Sequence, residues 1–174
     1  MNQTRVQVEL SLAIALAVIL SFFKLKLPHL LYGGSVSLES LPLFIAALRH
    51  GMRLGMLAGS GYGVVNFSIS PYFLHPIQVF LDYPVAYAAI SLVVLFVDRE
   101  RLRENSWFRI ALGITIAESL RLTAHVVSGI IYFGHLAPEG TPVWHYSLVY
   151  NASYLVPEYI IALIALPILI RRVQ

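Results

Sequence analysis

Glu118, Arg121, His125, Gly129 and Phe133 follow one another at intervals of three or four inside an otherwise apolar stretch. That spacing aligns them on one face of a helix. Asn151, Tyr154 and Glu158 repeat the pattern in a second stretch, with Tyr146 and Tyr150 just before them. Asp82 and Tyr83 are neighbours in a third, and Glu39 stands near the start of a fourth. Ionisable groups in apolar surroundings are costly, so each needs a partner, a cavity or a ligand. Taken together, these residue types suit recognition. Tyr72, Tyr83, Phe133, Tyr146 and Tyr150 offer flat faces for stacking on a ring and for attracting a cation. Asp82 and Glu39 supply negative charge and accept from an amino group, and Asn151 and His125 add directional hydrogen bonds. A flat, nitrogen-rich, cationic molecule fits that set. Acid–base catalysis by His125 and Glu118 is a competing reading. It lacks a nucleophile–base motif and any metal-ligand spacing such as His-Glu-x-x-His, so no residue is assigned as catalytic or metal-ligating.

Several of these groups have plainer readings. Glu118 and Arg121 can simply neutralise each other. Glu158 can be a structural hydrogen-bonding group, and His125 a packed histidine. Tyr32, Tyr62 and Tyr87 read as anchors at the membrane interface. The mixed charge run Asp98–Asn105 reads as a solvated turn.

The elements that must position these residues are hydrophobic helices. Of 174 residues, 58% are hydrophobic and only 12% charged, about half the charge of a soluble domain. Mean hydropathy is +0.75, which makes lipid the natural solvent. Apolar segments fall at roughly 7–23, 36–48, 54–70, 78–97, 107–133 and 146–170. The expected fold is an all-α membrane protein, a bundle of six transmembrane helices forming one domain over residues 1–174. The second segment is short and holds Pro42, which predicts a tilted or sheltered helix. The fifth is longer than one span requires. The start of the chain reads as a retained first helix, since it has no convincing cleavage site. Cysteine is absent, which excludes disulfides and thiolate metal sites. The net charge of +3 does not indicate nucleic acid, because the basic residues lie between apolar stretches.

Those basic residues set the orientation. An inside N-terminus puts Arg5, Arg49, Arg53, Arg99, Arg101, Arg103, Arg109, Arg171 and Arg172 on the cytoplasmic side, with only Lys24 and Lys26 outside. Both termini are then cytoplasmic. The outer loops become 24–35, 71–77 and 134–145, rich in Gly, Pro and aromatics and suited to forming a lid; Trp144 falls in the third. Glu39, Asp82, Tyr83, His125, Gly129, Phe133, Tyr146 and Asn151 share the outer level, and Glu118 and Glu158 lie deeper. Ala13 and Ala17 form an Ala-x-x-x-Ala pattern, which allows a second helix to approach closely, within the chain or from a partner.

Five stretches carry a family likeness: Gly33-Gly-Ser-Val-Ser-Leu-Glu-Ser-Leu-Pro42, His75-Pro-Ile-Gln-Val-Phe-Leu-Asp-Tyr-Pro84, Arg121-Leu-Thr-Ala-His-Val-Val-Ser-Gly129, Ala137-Pro-Glu-Gly140 and Tyr146-Ser-Leu-Val-Tyr-Asn-Ala-Ser-Tyr154. With the six-helix pattern, the chain resembles the thiamine-specific S components (ThiT type) of energy-coupling factor transporters over nearly its whole length. The resemblance implies an outward-facing thiamine cavity under a loop lid. It also implies partners, a transmembrane coupling subunit and two ATP-hydrolysing subunits, in the plasma membrane of a prokaryote. The ligand contacts it implies are Glu39, Tyr72, Asp82, Tyr83, His125, Gly129, Phe133, Tyr146 and Asn151, with Asp82 accepting from the aminopyrimidine. Ala13 and Ala17 would dock the coupling subunit. Two positions depart from the pattern: Asp82 stands where some members carry Glu, and Phe133 where some carry Trp. No cofactor is implied, and ATP is consumed by the partners alone. The chain has no Gly-x-x-x-x-Gly-Lys-Ser/Thr loop with which to hydrolyse it. The alternative is a stand-alone transporter of a small cationic heterocycle driven by protons or sodium, with Glu118, Glu158 and His125 as carriers.

Overall fold

The computed structural model describes residues 2–31, 33–98 and 100–172. Tyr32, Arg99 and the side chain of Arg103 lie outside the described residues.

Among the described residues, six main helices make up the fold. Helix α1, Gln3–Phe22, opens on Asn2, whose side chain accepts from Thr4 N at 3.1 Å; such a cap satisfies a donor that the first turn leaves free. Helix α2 is Ser40–His50 and α3 is Met52–Ile69. Helix α4, Pro76–Leu95, starts with Pro76 in the first turn, where a missing N–H costs nothing. It passes through a π turn at Leu81–Val85 and ends as a 3-10 helix over Ile90–Leu95. Helix α5, Trp107–Tyr132, is capped by Ser106, and α6 is Val143–Ile170. The only extended pairing among the described residues is the Leu25–Val36 bridge, which folds the long α1–α2 connection back on itself.

Four of the six, α1, α4, α5 and α6, are long and apolar enough to cross a membrane. Helices α2 and α3 fall outside that measure, and the short second segment anticipates the first of them. Helix α2 has 11 residues, or about 16 Å of rise, roughly half a hydrocarbon layer. Nearly all of it is buried, from Ser40 to Leu48 with only Ile45 partly exposed. A helix shielded from lipid by its neighbours needs neither full length nor a continuous apolar surface. Gly51, at φ 93°, turns α2 directly into α3, a backbone conformation that favours glycine. Helix α3 is diluted by Gly55, Gly59, Gly61, Gly63 and Asn66. Its glycines serve close packing. A Cβ on Gly59 or Gly63 would collide with the backbone of Tyr87 or Tyr83 on α4.

The main core gathers Phe44, Leu48, Tyr62, Tyr87, Ile90, Ile114 and Leu166. Tyr62 and Tyr87 are 0% and 5% exposed and pack edge to face at 4.7 Å, so the interface-anchor reading of both is corrected: both rings are interior, and Tyr87 OH donates to Glu39 and accepts from Asn66 Nδ2. Ala17 is fully buried in the main core, and Ala13 packs beside Leu10, Ala46 and Ala58. The small residues therefore bring α1 close to its own bundle. The face of α1 left open carries Val8, Leu12, Leu16 and Ile19, and similar apolar side chains, Ile131, Ile160 and Ile164, coat α5 and α6.

At one end of the bundle Glu9 of α1 meets Arg5, Arg49 and His50 at 2.9, 3.1 and 3.0 Å. The run Asp98–Asn105 at that end is more than a solvated turn. Asn105 is buried, and its Nδ2 donates to the carbonyls of Asp98, Arg101 and Leu102 at 2.8–3.2 Å. At the opposite end the bundle opens into a cavity.

Candidate functional site

The cavity encloses about 360 Å³, within the range of small-molecule sites. Helix α4 supplies Gln78, Asp82, Tyr83 and Tyr87 to its wall. Residues 82 and 83 would diverge by about 100° on a regular helix; the wider π turn lets both reach the cavity. Insertions of this kind are frequent at functional sites. Proline at position 84 has no N–H to give to the ladder, and its own carbonyl accepts from Ser60 Oγ at 3.4 Å.

Asp82 is held from three sides. Its Oδ2 accepts from Gln78 Nε2 at 2.7 Å and from Ser128 Oγ at 2.9 Å, and Oδ1 lies 3.2 Å from His125 Nδ1. A carboxylate fixed this way needs little reorganisation to receive a donor. Asn151 is equally constrained: its Nδ2 donates to Ser147 O at 2.9 Å, and its Oδ1 accepts from Tyr154 OH at 2.8 Å. Gly129 makes room for this. A Cβ there would strike Ser147 Oγ, which is hydrogen-bonded to Val126 O.

Aromatic rings close the outer side. Tyr72 and Phe133 stack at 5.5 Å with 29° between planes, and Tyr146 and Tyr150 lie 5.9 Å apart. Tyr83 OH donates to Ser70 O and accepts from Tyr72 N, both at 3.2 Å, which fixes the 70–75 loop over the opening. The α1–α2 connection forms a strap on the other side. Tyr150 OH donates to Gly33 O at 2.9 Å, His29 Nε2 lies 2.8 Å from Ser153 Oγ, and Leu30 is buried against Tyr154 and Leu155. Lys24 and Lys26 stand at the rim.

Beneath the cavity lies an ionic cluster. Arg121 Nη1 is 2.8 Å from Glu158 and 3.5 Å from Glu118, and Nη2 is 3.7 Å from Glu39. The guanidinium also sits 4.8 Å from the centre of the Tyr87 ring. Glu158 Oε1 accepts from Ser37 N at 2.7 Å and Ser37 Oγ at 3.0 Å. Glu39 both borders the cavity and accepts from Tyr87 OH.

The structure places all nine sequence-derived contact residues, Glu39, Tyr72, Asp82, Tyr83, His125, Gly129, Phe133, Tyr146 and Asn151, on the cavity wall. Glu118, Arg121 and Glu158 do not line it. Trp144, expected in a lid loop beside the cavity, is corrected: it is exposed, packs edge-on to His145 and is not among the cavity-lining residues. Sequence reasoning missed Gln78 and Ser128, although Gln78 precedes Asp82 by one helical turn and that spacing was available as a signal. It also missed Ser37, whose partner is 121 residues away. Among the described residues no group of three His, Asp or Glu converges to hold a metal ion.

A helical bundle with an apolar exterior and one polar, aromatic cavity open at an end is a membrane protein built to hold a small molecule. The "Thiamine transporter protein" family (Thia_YuaJ) matches residues 7–174. The chain belongs to that family, a family of bacterial multi-pass membrane transporters and not of enzymes. It is 39% identical over 179 residues to the thiamine transporter ThiT of Bacillus subtilis (strain 168), covering 97% of this chain and 93% of the relative. To the thiamine transporter ThiT of Lacticaseibacillus paracasei it is 26% identical over 182 residues, covering 97% and 88%. A solved structure of ThiT from Listeria monocytogenes superposes with a TM-score of 0.84 at 23% identity, covering 98% of this chain and 95% of that one. The S component of a bacterial ECF transporter gives 0.58 at 19% identity, covering 97% and 92%. These two likenesses concern the helical membrane fold.

Proposed function

We propose that this chain is the thiamine-capturing S component of an ECF importer, taking thiamine into the cavity from outside the cell. The observation that carries the reading is the arrangement around Asp82. A carboxylate pre-set by Gln78, Ser128 and His125 faces the same cavity as the Tyr72–Phe133 stack and the Glu39 carboxylate. An aminopyrimidine donates to the first, a cationic thiazolium is drawn to the others, and the spacing of both within one cavity suits a two-ring molecule. His125, Tyr83, Tyr146, Gly129 and Asn151 complete the contacts. Family membership adds independent support.

The finer assignments belong to the same proposal. All six helices traverse the bilayer of a bacterial plasma membrane as one domain, with α2 completed by the strap above it and both termini cytoplasmic. A coupling subunit and two ATP-hydrolysing subunits supply energy. The coupling subunit meets the open face of α1, with Ala13 at its edge and Ala17 setting the depth of α1 in the bundle.

Calorimetric titration of the detergent-purified chain with thiamine tests the reading. Saturable binding is expected, with Asp82→Ala and Asn151→Ala each weakening it roughly 10- to 150-fold, the equivalent of a charge-assisted or buried hydrogen bond. Unchanged affinity in both folded variants would refute the site. In proteoliposomes, uptake should require the ATPase partners; uptake by this chain alone under an ion gradient would favour the secondary-transporter alternative.

A further inference from the structure

The cavity floor holds more carboxyl groups than direct ligand contact requires. Glu39, Glu118 and Glu158 converge on the single guanidinium of Arg121, and all four are buried, at 7%, 4%, 1% and 2% exposure. Glu158 is saturated by Ser37 and Arg121. Glu39 accepts from Tyr87 OH. Glu118 differs: neither of its oxygens accepts a hydrogen bond among the described residues, and its one strong interaction is the 3.5 Å approach to Arg121 Nη1. Buried carboxylates kept for structure alone are normally hydrogen-bonded. Glu118 therefore meets its surroundings chiefly through Arg121.

One cation cannot neutralise three carboxylates. Nη1 is shared by Glu158 and Glu118, and the remaining Nη2 stands 3.7 Å from Glu39. Positive charge drawn toward Glu118 is withheld from Glu39, the only member of the three that borders the cavity. We infer that Glu118 is a specificity-determining residue: by competing for Arg121 it leaves Glu39 uncompensated toward the cavity, and so selects a cationic ligand over a neutral one of the same shape. It does not touch the ligand but acts through Arg121 and Glu39. The other charged or titratable groups packed around it, His125 two helical turns above and Tyr87 across the guanidinium, keep their contacts in this scheme.

The inference rests on the thiamine reading and is tested with two ligands. Affinities for thiamine and for its isostere with an uncharged thiophene in place of the thiazolium are measured on the purified full chain, for wild type, Glu118→Gln, Glu118→Met and Glu118→Asp. Wild type should prefer thiamine. That preference should fall about tenfold or more in the Gln and Met variants, as expected for loss of a charge acting across a few ångströms of protein. Affinity for the neutral isostere should hold, and Asp should retain the preference. Because Glu118 accepts no hydrogen bond among the described residues, Gln and Met strand none of their donors, and the apolar Met keeps the test open if Gln misfolds. A structural role would weaken both ligands alike. An unmoved preference in either folded variant, with thiamine still bound, overturns this inference alone; a wild-type chain that binds no thiamine overturns the functional reading with it.

Discussion

Asp82 is a short side chain held firmly on the cavity wall. It reaches one methylene less far than glutamate, and its neighbours compensate by fixing where its oxygens lie. Gln78 is central, because its Nε2 holds Asp82 Oδ2 while its Oε1 accepts from Leu74 N at 3.1 Å. One side chain thus ties the acidic group to the loop that carries Tyr72. Gln78→Leu should lower thiamine affinity about tenfold, the worth of one hydrogen bond to a charged group. Ser128→Ala should lower it less, since Gln78 remains on the same oxygen. Isothermal titration beside a thermal melt separates the two effects from loss of fold, and equal affinity in Gln78→Leu and wild type would show that Asp82 orients itself. Residue types alone made Asp82, His125 and Asn151 legible as residues of a shared cavity wall. The donors that hold them were not, because Ser and Gln are common and carry no signal until the fold brings them within 3 Å.

Helices were largely readable from apolar runs, and their limits fall within a few residues of those expected. What composition could not show was the difference between a helix that faces lipid and one that its neighbours enclose. Helix α2 is the second kind, as Pro42 and its short apolar run hinted. The π turn in α4 also escaped detection, since Pro84 signals a disturbance without specifying its form. The glycines of α3 explain how that turn is accommodated. Gly63→Ala would put a methyl within 2.8 Å of Tyr83 and Pro84 backbone atoms, which cannot yield without shifting Asp82 and Tyr83. Gly61→Ala would meet only the flexible end of Ile14 at 3.3 Å. Thiamine affinity should therefore drop more than tenfold in Gly63→Ala, by analogy with the cost of overpacking, and stay near wild type in Gly61→Ala. Similar affinities in the two folded variants would separate the turn from the site.

At the scale of the molecule, charge has been sorted to the two ends and to the buried cluster around Arg121 beneath the cavity. Arg5, Arg49 and His50 gather around Glu9 at one end, while Lys24 and Lys26 flank the opening at the other. This arrangement follows the bias that the sequence already displayed. Its long-range couplings, such as Ser37 to Glu158, were hidden because no local pattern reports a partner so distant in sequence. Orientation is directly testable, since the chain has no cysteine of its own. In whole cells, Lys24→Cys should react with a membrane-impermeant maleimide, and Arg171→Cys should react only after the membrane is opened. The reverse pattern would invert the proposed topology.

The strap from Lys24 to Glu39 adds a matter of timing. It is stitched to α6 at His29, Leu30, Gly33 and Ser37, contacts that lie beside the cavity and owe nothing to what the cavity contains. Any occupant whose exit path crosses the strap must wait for several of these stitches to part together. Residence time would then be set by a unimolecular undocking step with its own temperature dependence, and two ligands of quite different affinity could leave at similar rates.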